Sequence, residues 1–524
     1  MCKPGRLATL FCIGAGLLLQ ACNSDDGTSL PISVAGDTGP ISGITTRLFE
    51  PSSFIRIASG EGGFEAELES GDRFARDHDN AGDINGDGVT DLIIGARSDD
   101  DGATDAGAVY ILFMNANGTV NSSQKISALE GNFTDELLAG DFFGYGVAGI
   151  GDYNGDGTPD VAVSAPSPTT PAVYILHLNT DGTVKSMVKN TNIMGFGLSS
   201  VGDLNNDGRV DLVAADPNAI NGGRIRLLFF NQDSSLAMDD VVTIGEGLGG
   251  FGSGINAEDS FGGRESALLG DLDNDGTLEL AVGAFESDNG LGAIWILSLD
   301  PNTHEVVDKT KIAPGLAGFD ETIELATNAN GTTGSHFGHA LVAAGDLNGD
   351  SVPDLISSAN QYNAGVGYVL YLNQDKTVES FTRINSTEGG FDLSLQNAER
   401  FGRSISIVDS NRAEGAITIN MGGGAGTTGV LYALQFQACT YTNMGEDMFW
   451  SEGVTAFSNW DHGTQNVTGP LDYEQCSLKA AQVDAPNITF KEQDGRCIIK
   501  NASATLSFSN EGSTAYTRSC PLVI

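Results

Sequence analysis

The chain has 524 residues, of which 40% are hydrophobic, so it exceeds a single ordinary domain and has the apolar content to bury real cores. It carries 26 Lys and Arg against 69 Asp and Glu, a formal net charge of −43, which disfavours nucleic acid and anionic lipid headgroups as partners and favours cations. Its 70 glycines weaken helices and supply positive φ in turns. The composition therefore predicts an all-β protein built of short strands and tight turns.

Residues 1–21 have the organisation of an export signal. Two basic residues precede an uninterrupted apolar stretch over residues 7–19, which is too short to span a bilayer. The following sequence, LQAC, resembles the bacterial lipobox, in which the thiol of Cys22 receives a diacylglycerol and becomes the first mature residue. Asn23, rather than Asp, implies by resemblance to Gram-negative lipoproteins an anchor in the outer membrane. An ordinary secretory signal with a coincidental cysteine is the alternative.

Residues 22–50 are rich in Gly, Ser, Thr, Asp and Pro. This composition is typical of a flexible linker, and we expect the segment to tether the body of the protein to the membrane.

Residues 438–524 are predicted to form a separate small β-domain. This segment holds the four cysteines that remain after export and lipidation, namely Cys439, Cys476, Cys497 and Cys520. In an oxidising compartment they predict two disulfides, with all three pairings open, and they lack the close pairs of a zinc site. Trp450 and Trp460 lie in the same segment, where they either stack on sugar rings or, more simply, pack in a core.

An acidic nine-residue loop recurs along the chain and points to a metal. In the copy that begins DYNGDGTPD, oxygen-bearing side chains occupy relative positions 1, 3, 5 and 9, and position 7 offers a backbone carbonyl. Carboxylates this close repel one another unless a hard cation neutralises them, and flexible oxygen donors favour calcium. Turns rich in Asp, Asn and Gly are the alternative explanation. The same spacing occurs in five copies, which favours calcium.

The candidate ligands are, in chain order, Asp83, Asn85, Asp87, Val89 and Asp91; Asp152, Asn154, Asp156, Thr158 and Asp160; Asp203, Asn205, Asp207, Arg209 and Asp211; Asp271, Asp273, Asp275, Thr277 and Glu279; and Asp346, Asn348, Asp350, Val352 and Asp354.

The loops belong to a longer repeat. A Phe-Gly pair or a near match stands nine or ten residues before each loop, and a short apolar strand follows it. Next come a strand that starts with Gly, a polar turn, and a last strand that ends in Gly-Phe. This alternation predicts four antiparallel strands per unit. The opening pairs are Phe74-Ala75, Phe143-Gly144, Met194-Gly195, Phe261-Gly262 and Phe337-Gly338.

A sixth unit starts at Phe401 but has lost the ligand pattern and lacks its own fourth strand. Residues 52–64 match a fourth strand and stand alone ahead of the first unit. Radial closure, in which this strand completes the last sheet, removes the two open edges of the array. The sequence therefore predicts a β-propeller of four-stranded units over residues 51–437, six-bladed, with seven blades as the alternative.

The Phe-Gly pair, the acidic loop and the following Gly-Ala resemble the FG-GAP repeats of the integrin α-subunit propeller and its bacterial relatives. The resemblance covers residues 52–437 and implies calcium in the five loops and adhesion as the function. The chain departs from the family at Ser351, which replaces a loop glycine, and at Glu279, which replaces a loop aspartate. Integrin α propellers also have seven blades.

We weigh two functions and one simpler alternative. The first is a surface lipoprotein whose propeller binds a protein or glycan, although no RGD tripeptide occurs. The second is an enzyme, a lyase or hydrolase that acts on extracellular polysaccharide, because some propeller lyases and a phospholipase D carry similar repeats. Such an enzyme needs Tyr, His, Lys or Arg converging on one face, and residues 77–79 are the place to look. The alternative is a repeat protein with no site beyond calcium.

The sequence contains no G-x-S-x-G elbow, no H-E-x-x-H motif and no phosphate-binding Gly loop, and we predict no catalytic residues. Of the six histidines only His336 and His339 are close in sequence. On a continuous strand this spacing predicts side chains on opposite faces, which disfavours a joint role.

Overall fold

The structure is a computed structural model. It describes residues 45–323, 334–362, 364–386, 395, 400–408, 416–423, 428–446, 448–450, 454–457, 487–491, 496–500, 506–508 and 514–519. The signal segment 1–21, Cys22, Cys476, Cys520 and Trp460 lie outside these residues.

The first strand, β1 (Thr45–Ile57), is followed by five four-stranded antiparallel sheets, in each of which the strands pair in chain order. We call these sheets blades 1 to 5. Blade 1 contains β2 (Phe74–Gly82), β3 (Asp91–Ala96), β4 (Ala108–Met114) and β5 (Val120–Ile126). Blade 2 contains β6 (Val147–Gly151), β7 (Asp160–Ala165), β8 (Ala172–Leu178) and β9 (Val184–Thr191). Blade 3 contains β10 (Gly197–Ser200), β11 (Leu212–Asp216), β12 (Arg224–Leu228) and β13 (Val242–Gly245). Blade 4 contains β14 (Phe261–Gly270), β15 (Leu278–Ala284), β16 (Ala293–Leu299) and β17 (Val306–Ile312). Blade 5 contains β18 (Phe337–Gly345), β19 (Asp354–Ala359), β20 (Val366–Leu372) and β21 (Val378–Ile384).

Helical structure in the described part of the chain is confined to two turns. One is a 3₁₀ turn, Met238–Asp240. The other is a short helical turn, Ser287–Gly290, in which Asp288 and Asn289 have positive φ. The all-β prediction is confirmed.

Blade 6 is completed by the start of the chain. It contains β22 (Ile405–Val408), β23 (Ala416–Gly423) and β24 (Val430–Glu446), and β1 pairs antiparallel with β24 as the fourth strand. The register places Ile57 opposite Leu431 and Thr45 opposite Thr442. The six-bladed propeller is therefore confirmed over the described residues, and the seven-bladed alternative is wrong.

The first strand of each blade lies innermost. Each of β2, β6, β10, β14, β18 and β22 contacts the corresponding strand of both neighbouring blades, and β22 contacts β2 to close the ring. Side chains from adjacent blades bury one another in continuous apolar clusters, such as the one shared by blades 1 and 2. Because every blade begins at the axis, all six inner strands run in the same direction along it.

The phenylalanines of the repeat form the wedge between blades. In most units, the Phe of the Gly-Phe pair lies in the turn after the fourth strand and not on the strand itself, and it packs against the Phe of the next opening pair and an aromatic ring on the third strand. In blade 5, Phe337 stacks on Phe319 at 4.4 Å between ring centroids and meets the edge of Tyr368 at 5.6 Å. All three rings are buried. Such offset and edge-on pairs contribute beyond the area that they bury.

The glycine that opens the third strand is required by the neighbouring blade. Gly107, with φ +91°, forms a parallel bridge to Phe143, and a Cβ there would stand 2.1 Å from the carbonyl oxygen of Phe143. The same bridge links Gly429 to Phe74 across the point where the ring closes. Any larger residue would push the two blades apart.

The C-terminal strands continue from blade 6. They are β25 (Met448–Trp450), β26 (Val454–Phe457), β27 (Asn487–Lys491), β28 (Arg496–Lys500), β29 (Leu506–Phe508) and β30 (Thr514–Ser519). Strand β30 pairs with the far end of β24, and β27, β28 and β26 extend that sheet, while β25 pairs with β29.

The predicted domain boundaries at residues 50 and 437 fall inside β1 and β24, which pair with each other. The division into tether, propeller and C-terminal domain stays a prediction. Cys439 lies on β24 and Cys497 on β28, and their disulfides stay a prediction as well.

Replacing Phe337 by Ala removes the ring at the centre of the blade 4 to blade 5 wedge and leaves a cavity. We expect the free energy of unfolding to fall by about 3–5 kcal/mol, measured from urea denaturation. The matched control is Leu316→Ala in the turn before Phe319, because Leu316 is 48% exposed and should cost little. Equal losses in the two variants would contradict the wedge role.

Candidate functional site

The five acidic loops adopt the same closed conformation. In the first loop, Oδ1 of Asp83 accepts hydrogen bonds from the N–H groups of Gly86 and Asp87 at 2.8 and 3.0 Å, and Oδ2 accepts one from Gly88 at 2.9 Å. The position-1 carboxylates of the other four loops accept equivalent bonds. In every loop the position-7 N–H donates to the position-5 carboxylate, as Val89 does to Asp87 at 2.8 Å.

The position-9 carboxylate is buried and holds the loop to its own blade. In the first loop, Oδ2 of Asp91 accepts from the N–H of Ile84 and Oδ1 accepts from the N–H of Met114 on the third strand, both at 3.0 Å. Asp160 and Asp354 make the same pair of bonds. Burial raises the pKa of Asp91 to about 6, against the opposing effect of these backbone hydrogen bonds. The position-9 carboxylate is thus a buried anchor of the loop, whereas positions 1, 3 and 5 are more exposed to solvent.

The fourth loop presents a metal-competent carboxylate cluster. Single oxygens of Asp271, Asp273 and Asp275 all lie within 4.8 Å of one another. The other loops carry Asn at position 3, so they offer two carboxylates and an amide oxygen at the same places. Lys376 of blade 5 reaches into the fourth loop, with Nζ 2.8 Å from Oδ2 of Asp273. This donor set fits a hard divalent cation such as calcium.

A second concentration of polar groups lies on the propeller axis. A cavity of about 290 Å³ is lined by the inner strands of all six blades, and we call it the channel cavity. Asp77, His78 and Asp79, which the sequence singled out, lie here together with Glu265 of blade 4. Both carboxylate oxygens of Asp77 are buried without a hydrogen-bond partner among the described residues.

Burial is the largest cause of the shifted pKa values of the side chains in the channel cavity. It raises the pKa of Asp77 and of Glu265, and each interacts unfavourably with neighbouring carboxylates. It also raises the pKa of Asp79 to about 6 and lowers the pKa of His78 to about 4. Burial thus keeps the imidazole of His78 neutral at pH 7, and its Nε2–H donates to the carbonyl of Asn420 in blade 6 at 3.2 Å, which holds the ring in place.

A third site lies where the inner strands begin. A cavity of about 240 Å³, which we call the mouth pocket, is lined by the second residue after the opening aromatic or Met of five consecutive units. These residues are Tyr145, Phe196, Gly263, His339 and Arg403, and the wall is completed by Arg264, Phe285, His336, Gln361, Arg400, Pro217 and Asn218. The repeat therefore brings one sequence position from five blades to a single point.

The expectation that His336 and His339 face opposite ways is wrong. Their rings are parallel within 6° at 6.5 Å between centroids, and both contact the ring of Phe285. His336 precedes β18 and has φ +60°, and the pairing of β18 with β19 is irregular between Phe337 and Leu341. The strict two-residue alternation of a strand does not hold there, so both rings turn to the same side.

Arginines surround Tyr145 at the mouth pocket. The guanidinium carbon of Arg97 lies 3.9 Å and that of Arg264 lies 4.5 Å from the centroid of the Tyr145 ring. Burial would raise the pKa of the Tyr145 hydroxyl, but the charges of Arg264 and Arg97 outweigh it and lower that pKa to about 8. Burial and the nearby Arg403 and Arg264 lower the pKa of His339, which is neutral.

Sequence reasoning missed the mouth pocket, although a signal was present. Arg76, Arg264 and Arg403 follow their opening Phe by two or three residues in FAR, FGGR and FGR. Aligning the units on the Phe would have shown Arg, Tyr and His recurring at one position of the repeat. The sequence alone does not show that this position of the repeat faces the axis.

The acidic loops and the mouth pocket lie at opposite faces of the propeller. Pocket residues lie at the start of the inner strands or just after the end of the antiparallel second strands, whereas each acidic loop lies between the end of an inner strand and the start of the second strand. The seven residue steps from Arg264 to Asp271 span roughly 20 Å at the rise of a strand. The loop of the sixth unit, around residues 409–415, lies outside the described residues. Among the residues that are described, no helix has the length and apolar character to cross a membrane.

Comparisons with known proteins identify the repeats. The FG-GAP repeat model matches residues 80–112, 263–297 and 337–372, and the FG-GAP-like repeat model matches residues 152–214. Integrin alpha-5 of Xenopus laevis is 28% identical over 234 residues, which cover 42% of this chain and 20% of the relative. Integrin alpha-6 of Homo sapiens is 40% identical over 102 residues, 19% of this chain and 8% of the relative.

A phosphatidylinositol-glycan-specific phospholipase D of Bos taurus is 31% identical over 157 residues, 27% of this chain and 18% of that protein. The matched regions thus span a fifth or less of the length of these relatives. Together with the six blades, these matches show that the chain is an FG-GAP repeat β-propeller protein similar to integrin α subunits.

Proposed function

We propose that this protein is an exported, lipid-anchored propeller that binds calcium in its loops and a protein or glycan ligand at the opposite face. The observation that carries the binding function is the mouth pocket, which collects side chains from five blades into one concave, partly aromatic site. Concave pockets in which polar groups converge beside aromatic rings are a usual form of ligand site. The similarity to integrin α subunits supports adhesion as the role of that binding.

Calcium is proposed as a structural ion. Positions 1, 3 and 5 of each loop would hold it, with the carbonyl at position 7, and it would neutralise carboxylates that otherwise repel one another. The position-9 residue keeps the loop attached to the third strand of its blade, as Asp91 does through Met114. Binding would therefore stiffen the link between the inner strands and the rest of each blade.

An enzyme that acts on polysaccharide is the second candidate, and one observation favours it. Tyr145, with its lowered pKa, lines the same pocket as neutral His339 and Arg264, which is the convergent set that such an enzyme needs. The partial similarity to a phospholipase D is compatible with hydrolytic chemistry in a relative. Binding is preferred because the integrin α relatives match longer or more similar stretches.

Calcium should raise the melting temperature by several degrees and EDTA should lower it, because each ion binds only the folded state and a ligand at 100 times its Kd adds about 2.7 kcal/mol. Direct metal analysis should give five ions per chain. Asp152→Ala combined with Asp156→Ala should reduce that number to four. The control is Asp181→Ala, which removes a carboxylate that caps an ordinary turn by accepting from Thr183 at 3.0 Å and should leave five ions bound. Indifference to EDTA would support plain turns instead.

The lipid anchor predicts where the protein is found after expression in a Gram-negative bacterium. Cys22→Ser should move the protein from the outer-membrane fraction to the soluble fraction, because the thiol that carries the acyl chains is gone. Cys12→Ser changes a cysteine inside the signal and should leave the protein on the membrane. If the Cys22→Ser protein stayed on the membrane, the anchor would be wrong.

The binding function is tested on the full chain carrying Cys22→Ser. A glycan array and a panel of extracellular matrix proteins should give saturable, calcium-dependent binding to one of the two classes. Absence of binding to both would refute the adhesion role. Release of cleaved products from a bound polysaccharide would show that the second candidate, the enzyme, is correct.

A further inference from the structure

We infer that the mouth pocket binds a carboxylate-bearing sugar, a uronate residue of an acidic glycan, with Arg264 and Arg403 holding the carboxylate. This inference rests on the proposed binding function and names the class of ligand. It starts from a charge imbalance inside the pocket.

Two of the pocket arginines, Arg264 and Arg403, are buried without an anionic partner in the part of the chain that the structure describes. Arg264 and Arg403 are 7% and 8% exposed, and neither forms an ion pair among the described residues, although Arg224 and Arg383 elsewhere in the propeller do. Arg403 is repelled by Arg264 and by other arginines behind the pocket. In a chain with 69 acidic residues and only 26 basic ones, arginines are not short of partners. Buried cations of one sign are costly unless an anion joins them.

Two buried polar atoms at the pocket, a donor on Arg403 and a ring nitrogen of His339, are also unpaired in the described structure. The Nε of Arg403 and the Nδ1 of His339 are buried and have no hydrogen-bond partner among the residues described. One terminal nitrogen of Arg264 donates to the carbonyl of Phe196 at 2.9 Å, and the other donates to the hydroxyl of Tyr145 at 3.4 Å. These two bonds fix the orientation of the guanidinium. A planar guanidinium held in place is suited to a carboxylate, because its N–H groups match both oxygens.

Two described acidic side chains interact with groups of the pocket. Glu286 lies at the rim, with Oε1 3.2 Å from Nε2 of His336, and is engaged with that ring. Asp77 of the channel cavity interacts electrostatically with Arg264, but they form no ion pair in the described structure. Neither group forms an ion pair with Arg403, so its guanidinium, which keeps its proton at neutral pH, has no counter-charge among the described residues.

The neutral part of the lining favours a sugar over an acidic side chain. The pocket also contains neutral His339, the hydroxyl of Tyr145 and the amide of Gln361, which contacts His336, with the rings of Phe196 and Phe285 in its wall. A uronate presents one carboxylate, several hydroxyls and an apolar ring face. These groups match the arginines, the neutral polar groups and the aromatic rings of the pocket in turn. An Asp or Glu side chain would use only the arginines. A cavity of about 240 Å³ has room for one such sugar residue.

A flat anionic membrane and a polyanion such as nucleic acid fit less well. The guanidinium groups are recessed in the pocket, out of reach of a planar bilayer. The net charge of −43 opposes any ligand that relies on broad electrostatic attraction. Recognition of a single charged residue at a local cationic site avoids that cost.

The test uses calorimetric titration of the full Cys22→Ser chain with trigalacturonate, and with neutral trigalactose, sodium sulfate and a Glu-rich peptide as comparison probes. We expect saturable binding of trigalacturonate, and binding of the other three at least tenfold weaker. Arg403→Gln should weaken trigalacturonate binding about tenfold or more, because a charge-assisted hydrogen bond is lost. The matched control, Arg226→Gln on β12, removes an arginine outside the pocket and should bind like the parent.

Melting temperatures and a second variant show whether a loss of binding comes from misfolding. Arg403→Gln should keep or raise the melting temperature, because it removes a repelled buried charge. Tyr145→Phe removes only a hydroxyl and should weaken trigalacturonate binding severalfold with the fold intact. Sulfate or the peptide binding as tightly as the sugar would overturn the assignment to a uronate. If the protein binds an array or matrix ligand that Arg403→Gln leaves unaffected, this inference fails and the proposed function stands.

Discussion

The structure depends on the closure of the ring by β1 on β24. An array of four-stranded sheets exposes an unpaired edge at each end, and the antiparallel pairing of Ile57 with Leu431 removes both edges at once. Closure also makes the inner strands parallel to one axis, because each unit enters its sheet at the same position. The five acidic loops then fall on one face, and the residues that open the inner strands fall on the other. The two candidate sites follow from that geometry rather than from any local feature of a single blade.

Closure also places the carboxylates and the arginines at different positions along the axis. Carboxylates concentrate in the loops at one face, where Asp271, Asp273 and Asp275 converge within 4.8 Å, and in the channel cavity below the mouth pocket. Arginines concentrate at the other face, where Arg403 has no acidic partner among the described residues. Like charges repel at both faces, through solvent in the exposed loops and more strongly at the buried arginines. The two proposals answer this repulsion with a cation at one face and an anionic ligand at the other.

Much of the fold could be predicted from sequence because its signals are local. The spacing of the loops, the opening Phe and the isolated strand at residues 52–64 each report on a few consecutive residues, and together they define six blades. The rest depends on contacts between units. Asp91 fits the ligand spacing, yet its oxygens hold backbone N–H groups from two segments. His336 faces the same way as its neighbour because positive φ breaks the alternation that the sequence suggests. The pocket itself exists only once five blades meet.

Hydrogen exchange of the backbone amides of residues 53–57 tests ring closure most directly. The account predicts that these amides exchange as slowly as those of residues 430–434, to which they are paired, and that both open only with the whole propeller. Exchange of residues 53–57 at the rate of an unstructured chain, while blades 2 to 5 remain protected, would contradict closure and with it the placement of both sites.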